Sequence, residues 1–312
     1  MEFSFHKWHF SIKEKSKTIK FDAEDFKSLH DETLQYIAKL SKEEIEKRLS
    51  CVTLSKSGFE LTAAKEILAK NGILIVKDFV SPDELDSLHT SFGSVLSLIE
   101  SFKQGDDAFE ERSDYLIQKG PAKIAGYGDL VSYAKPVINI RDGHDLGMVD
   151  VFNADKLIPE FKEHIKPYFE DATLKNILDG KSESLSARNL NVYINESITG
   201  TRGFHVDSYG EQLKAFLYLS DVNELGDGPY VYVKETHLET VYRKINKKIA
   251  GNVVKKTESP IVNHENILPV LASRGSLIIS DQGGIHRGHP QSENGKRYVA
   301  VMNYKKNRVH QA

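Results

Sequence analysis

RNLNVYIN (188–195), LKAFLYLS (213–220), GPYVYVKE (228–235), GSLIISD (275–281) and RYVAVMNY (297–304) are five short stretches rich in β-branched and aromatic residues, punctuated by Gly, Asp, Asn and Pro. Runs of this length between turn residues read as β-strands. Several in succession suggest a jelly-roll type β-barrel or sandwich. The strand-like texture begins near Leu185 and continues almost to the C-terminus. Its one long interruption, roughly His237–Pro269, is Lys-rich and is expected to cap the barrel.

Upstream the texture is helical. Residues 21–50 place Phe26, Leu29, Leu34, Ile37 and Leu40 at helical spacing, which predicts one or two amphipathic helices. A further helix is predicted over Leu61–Asn71, with Gly72 as its C-cap. ILIVKDF (73–79) then reads as a strand. Ser81 and Glu84 form a capping box with Pro82 at the first helical position, and that helix is predicted to run to about Phe102. Residues 105–180 are mixed, with another helix near 154–170. The inferred architecture is α+β: a helical N-terminal extension over 1–60, then a domain over 61–312 in which helices support a β-barrel, integrated as one domain.

The bulk numbers exclude several classes. The chain has 312 residues, 39% hydrophobic and 28% charged, as in a soluble globular protein. A net charge of −3 lacks the basic footprint of a nucleic-acid binder. Nowhere do about 20 apolar residues run together, so no membrane helix is predicted. One cysteine, Cys51, allows no internal disulfide. The N-terminus has no signal-peptide core and the C-terminus is not SKL-like, so a cytoplasmic location is the expectation. No GxGxxG opens a helix, and neither GxxxxGK[ST] nor GxSxG is present.

Chemistry enters with GFHVDSYG (203–210). On a strand, His205 and Asp207 point to one face. GSLIISDQGGIHRGHP (275–290) supplies His286 beyond a later strand. Two histidines and a carboxylate are the facial triad of non-haem Fe(II) oxygenases. Such a triad leaves three metal positions open, two for a chelating 2-oxo acid and one for O2. An HxD pair alone is common; the order of strand ends around it gives it weight. Arg297 follows His286 by eleven residues, enough for a turn and a returning strand. Its guanidinium can grip a carboxylate with two parallel bonds, here the far carboxylate of 2-oxoglutarate.

KNGILIVKDFVSPDELDSL (70–88), GFHVD (203–207), GDGPYVYVKETH (226–237), DQGGIHRGH (281–289) and GKRYVAV (295–301) together resemble the phytanoyl-CoA dioxygenase family of Fe(II)/2-oxoglutarate oxygenases. The resemblance spans about residues 62–304. It implies a double-stranded β-helix, cupin-like in type, with helical N-terminal support, and metal ligands at His205, Asp207 and His286. Lys234-Glu235-Thr236-His237 replaces the family's Pro-Gly-Ser-His, and Gly288 stands where a small hydroxyl residue is usual. Residues 1–60 have no counterpart. The related halogenases lack the triad carboxylate, so Asp207 argues for hydroxylation, desaturation or oxidative cyclisation.

Supporting residues are less determined. RNLNVYIN alternates, and Asn191 and Tyr193 are candidate co-substrate contacts if that face points inward. Tyr209 is a substrate contact or a packing aromatic. Arg287 and Arg202 are further candidates for substrate contact. YRKINKKIAGNVVKK (242–256) is a solvated basic face or a lid that attracts an anionic substrate. The expected function is oxidation of an unactivated C–H bond in a small metabolite of specialised metabolism, with Fe(II), 2-oxoglutarate and O2 and no nucleic-acid or membrane partner. The alternatives are a cupin-type Zn or Mn metalloenzyme, which has no need of Arg297, and a non-catalytic ligand-binding barrel.

Overall fold

A computed structural model of the chain describes residues 2–5, 8–11, 23–86, 89–120, 135–143, 145–179, 185–210, 212–253 and 257–306. Strands β1 (Glu2–Phe5) and β2 (Trp8–Ser11) pair with each other in a two-stranded antiparallel sheet. Helices α1 (Ala23–Ile37) and α2 (Lys42–Ser50) follow, then β3 (Thr53–Ser55), α3 (Leu61–Asn71), β4 (Ile73–Lys77), α4 (Pro82–Asp86) and α5 (His89–Gln104). Four strands come next: β5 (Phe109–Glu111), β6 (Leu116–Lys119), β7 (Val137–Ile140) and β8 (Val149–Phe152). Short helical turns fill Ala154–Asp179. The remainder is β9 (Leu185–Glu196), β10 (Gln212–Tyr218), β11 (Tyr230–Val233), the helix Val241–Val253, β12 (Ile267–Pro269), β13 (Leu277–Asp281), β14 (His286–Gly288) and β15 (Lys296–Lys306).

Ten strands form one sheet in the order β3-β4-β13-β10-β15-β9-β8-β7-β6-β5. All its pairings are antiparallel except β3–β4 and β6–β7. The order β12-β11-β14 makes a second, three-stranded sheet. A large, mostly antiparallel sheet with helices on one face and a small sheet on the other fits the jelly-roll type of architecture read from the strand pattern.

The two faces of the large sheet differ because side chains alternate along each strand. Leu190, Val192, Ala300, Met302, Ala215, Leu217 and Ile279 point to the helical layer, where they meet Leu68, Ile99, Phe161 and Ile177 in the largest core cluster. Ile75, Phe216, Tyr218, Ile278, Val299 and Val301 point the other way and pack on Tyr230, Tyr232 and Leu268 of the small sheet. A fully buried side chain of this size stabilises the fold by ~1.5–3 kcal/mol, so both layers hold the sheet in place. Along the inner face the apolar stretch gives way to polar residues. Cross-strand register puts Gln118, Asn139, Asp150 and Tyr193 in one row, and Asn195 beside Arg297 in the next.

Three sequence expectations need correction. The region before residue 61 is not purely helical, since β3 runs parallel to β4 at the edge of the large sheet. The mixed region 105–180 contributes four strands, which are too short for a two-residue periodicity to register. The segment around His205 and Asp207 is not a continuous strand: His205 makes isolated bridges to His286 and Glu258, and residues 206–210 run outside any strand. Elsewhere the local chemistry behaves as expected. Gly72 caps α3 in the left-handed region at φ 78°. Here a side chain would also strike the Tyr232 hydroxyl and the His237 ring. Ser81 and Glu84 exchange their capping-box bonds.

Candidate metal centre

His205 and His286 face each other across an antiparallel bridge, each backbone N–H donating to the other's carbonyl at 3.0 and 2.9 Å. Their rings lie 4.6 Å apart, centroid to centroid. The His205 Nδ1 is 2.8 Å from the Gly203 carbonyl and the His286 Nδ1 is 2.9 Å from that of Gly284. A proton on each Nδ1 leaves both Nε2 atoms as free lone pairs, the tautomer that a metal takes. The Asp207 backbone N–H donates to the Gln282 carbonyl, so the loop before β14 holds the carboxylate in place. Asp207 Oδ1 lies 3.7 Å from His205 Nε2 and 3.6 Å from His286 Nε2. Candidate ligand atoms of the three residues all fall within 4.8 Å of one another. The structure thus brings together the three residues that the sequence picked out, although by loop and bridge rather than by strand alternation.

Electrostatics prepare the donors. Burial, the neighbouring His286 and Arg202 push the His205 pKa well below its ordinary value, so the ring is neutral. Burial works against ionisation of Asp207, but Lys214 and the two histidines outweigh it and hold the carboxyl well below the usual range. Neutral imidazoles and an ionised carboxylate are the forms a divalent cation binds. The Asp207 side chain is 24% exposed and His286 only 7%, so the centre is open on the carboxylate side.

Arg297, on β15, is partly buried on the inner face, and its Nε and Nη1 are enclosed with no partner among the described residues. Burial lowers its pKa. A side chain placed at Gly288 would come within 3.7 Å of its Nη2. Gly288 lies two residues beyond His286, so the guanidinium reaches toward the metal ligands. Asn191 is buried on the same inner face; its Oδ1 accepts from the Asn153 N–H, and its Nδ2 has no partner among the described residues. Tyr193 lies between Asp150 and Val299 in the register.

The other candidates touch protein groups, although Arg287 Nη1 is enclosed without a hydrogen-bond partner among the described residues. The Tyr209 ring packs under two cations, Arg243 at 5.0 Å and Lys247 at 4.7 Å, which favours the packing aromatic over the substrate contact. Arg202 pairs with Glu258 at 2.8 Å and donates to Thr257. Arg287 lies across from Val231, on the outer side of the small sheet, stacked 5.4 Å from the Phe204 ring and bonded to Thr201. In the basic stretch, Arg243 donates to the carbonyls of Thr236, Gly283 and Tyr209. Lys247 pairs with Glu239. This helix is clamped to the ligand loops, with Lys244 and Lys248 left as its exposed cations. Residues 254–256 of the stretch lie outside the described residues.

Two residues of the centre escaped the sequence reading. Lys214 donates to Asp207 Oδ2 at 2.6 Å. In LKAFLYLS the neighbours of the lysine, Leu213, Ala215, Phe216 and Leu217, are apolar, so a lysine there signals a buried partner. His30 arrives from α1, in the extension with no recognised counterpart. Its Nδ1 accepts the Phe204 N–H at 3.1 Å, and a side chain at Gly203 would overlap its ring. The N-terminal helix therefore braces the backbone on either side of Gly203, next to a ligand.

Burial, with Arg287 and Arg202, pushes the His30 pKa from 6.5 down to about 3. A protonated Nδ1 could not accept from Phe204. Between pH 6.5 and about 3 the unfolded chain binds the proton and the native state does not, so stability is lost as the pH is lowered, at up to ~1.4 kcal/mol per pH unit. Urea midpoints at pH 7.5 and 5.5 should drop more for the wild type than for His30→Gln. Equal drops would assign the effect to other groups.

No protein-family profile matches the sequence, and no curated protein matches it. Structural comparison does find relatives of the fold. AviO1 from Streptomyces viridochromogenes Tue57 superposes with a TM-score of 0.52 at 14% identity, over 81% of this chain and 98% of that one. SnoK, described as the non-heme alpha ketoglutarate dependent carbocyclase from nogalamycin biosynthesis, superposes with a TM-score of 0.51 at 15% identity, over 81% and 84%. These likenesses are of fold, and the case for chemistry rests on the residues of this chain. No helix among the described residues is long and apolar enough to cross a membrane.

Proposed function

We propose that this chain is an Fe(II)- and 2-oxoglutarate-dependent oxygenase that oxidises an unactivated C–H bond of a small metabolite, on a double-stranded β-helix of the phytanoyl-CoA dioxygenase type. One observation carries the reading. His205 Nε2, His286 Nε2 and Asp207 Oδ1 converge, and the Arg297 guanidinium, its Nε and Nη1 enclosed without a partner among the described residues, comes up to Gly288, two residues beyond His286. A cupin-type Zn or Mn centre would account for the three ligands but leaves Arg297 without a purpose. SnoK's description as alpha ketoglutarate dependent, on a related fold, supports the same reading.

The donor set, two imidazoles and one carboxylate, is one that would hold ferrous iron. Iron, when bound with 2-oxoglutarate and O2, supplies the oxidant that removes hydrogen from the substrate while the co-substrate becomes succinate and CO2. The chain's own residues do the rest. Gly203 and Gly284 carbonyls fix both imidazole tautomers. Arg297 binds the distal carboxylate of 2-oxoglutarate, and Gly288 leaves space beside it. Asn191 and Tyr193 line the co-substrate side of the inner face. Tyr230, 5.6 Å from the His286 ring, and the apolar layer of Phe216, Tyr218 and Val301 restrict water around the centre. Whether hydroxylation, desaturation or ring closure follows depends on where the target carbon is held.

The test is anaerobic loading with Fe(II) and addition of 2-oxoglutarate. A visible charge-transfer band, then succinate on admitting O2, is the expected result. A protein that binds Zn(II) but gives neither would sink the proposal.

A further inference from the structure

We infer that Lys214 is a positioning residue that holds Asp207 as a one-oxygen ligand, Oδ1 for the metal and Oδ2 for the ammonium. The consequence for co-substrate binding rests on the function proposed above; the division of the carboxylate stands on geometry alone.

The two oxygens of Asp207 have different neighbours. Oδ1 is the atom that both histidine Nε2 atoms approach, at 3.7 and 3.6 Å. Oδ2 accepts from Lys214 Nζ at 2.6 Å. Lys214 lies on β10, opposite Ser280 of β13 and Asn303 of β15, and is 9% exposed. A buried ammonium needs a paired anion to offset the loss of hydration, and Asp207 is the carboxylate it touches. The backbone supports the same division, because the Asp207 N–H is tied to Gln282 and the Lys214 strand is paired on both sides. The carboxylate is therefore gripped from behind while its other oxygen faces the imidazoles.

Asp carboxylates bind metals through one oxygen or through both. With both, Asp207 and two histidines would fill four of six positions. A chelating 2-oxo acid would then take the last two, with none left for O2. An ammonium on Oδ2 blocks that mode and keeps three positions open. It also offsets the negative charge of the ligand, so a dication at the centre presents more net positive charge to a dianionic co-substrate. A lysine that merely neutralised a core carboxylate would have no effect on how many metal positions stay open.

The experiment uses the full-length protein, stripped of metal and reloaded with Co(II) without 2-oxoglutarate. Visible d–d bands report coordination number, and titration gives the Co(II) affinity. Lys214→Met is expected to keep Co(II) binding while shifting the bands toward higher coordination. Affinity of the Co(II) protein for 2-oxoglutarate should fall about 10-fold or more, the scale of outer-shell effects at metal sites. Lys214→Arg, which restores a cation on Oδ2, should recover the wild-type spectrum. A wild-type spectrum in Lys214→Met would overturn the inference. If methionine prevents folding, Lys214→Gln is judged by the same criterion, an altered spectrum supporting and an unaltered one overturning it. A wild type that binds Co(II) but not 2-oxoglutarate would instead overturn the proposed function, and the spectral comparison would still decide the role of Lys214.

Discussion

Asp207→Ala is expected to reduce succinate formation to background and to weaken Fe(II) or Co(II) binding by more than about 100-fold, beyond the effect of losing an outer-shell partner. The variant also strands Lys214. Its ammonium, paired to Asp207 at 2.6 Å, would remain buried without a counter-charge. Breaking a buried ion pair by removing one partner costs about 3–5 kcal/mol, and the 24% exposure of the Asp207 side chain puts this case at or below the lower end. Lost metal binding in the single variant could therefore be a symptom of lost structure. The double variant Asp207→Ala/Lys214→Met separates the two, since removing both partners relieves the stranded charge. Its thermal midpoint should recover most of the loss, the non-additivity expected of residues in contact, while metal binding stays abolished. Calorimetric melts with Co(II) titrations make the measurement. Metal affinity restored in the double variant would mean that Asp207 is not a ligand.

How far the sequence revealed this centre depended on the range of each interaction. His205, Asp207 and His286 were legible because two lie in one short motif and the third follows a recognisable strand. The local geometry was misjudged. Strand alternation predicted the shared face, whereas the bridge between His205 and His286, and the bond from the Asp207 N–H to Gln282, produce it. Pairing between His205 and His286, 81 residues apart, leaves no local periodicity. Strands β5–β8 were missed for a related reason: at three or four residues each, Phe109–Glu111 or Val137–Ile140 fit a strand, a helical turn or a loop. The roles of Lys214 and His30 lie in what they touch. The apolar neighbours of Lys214 signal a buried partner without saying which, and a histidine on an amphipathic helix reads as surface until tertiary structure buries it. The basic stretch gave the opposite error. Arg243 looked like a solvated charge, yet it binds three backbone carbonyls of the loops around the centre.

Arg297→Met should separate stability from binding in opposite directions. In the free protein the guanidinium is enclosed at Nε and Nη1, neither of which has a partner among the described residues, and burial depresses its pKa. Such a charge is a cost to the fold. A methionine of similar length, flexible enough to fit the same space, removes that cost, so the melting temperature without co-substrate should hold or rise. Co-substrate binding should collapse. Truncating one partner of a buried, hydrogen-bonded charge pair typically costs 2–5 kcal/mol. At 1.4 kcal/mol per decade, the 2-oxoglutarate KM should rise by about 30-fold or more, with metal affinity close to wild type. Arg297→Lys should fall between, because an ammonium supplies charge without the planar two-bond grip. A second readout needs no turnover: 2-oxoglutarate should raise the melting temperature of the Co(II)-loaded wild type, as any native-state ligand does, and leave that of Arg297→Met nearly unmoved at the same concentration. An Arg297→Met protein that keeps wild-type 2-oxoglutarate affinity would show that the guanidinium is buried for packing, and the proposed co-substrate anchor would fail with it.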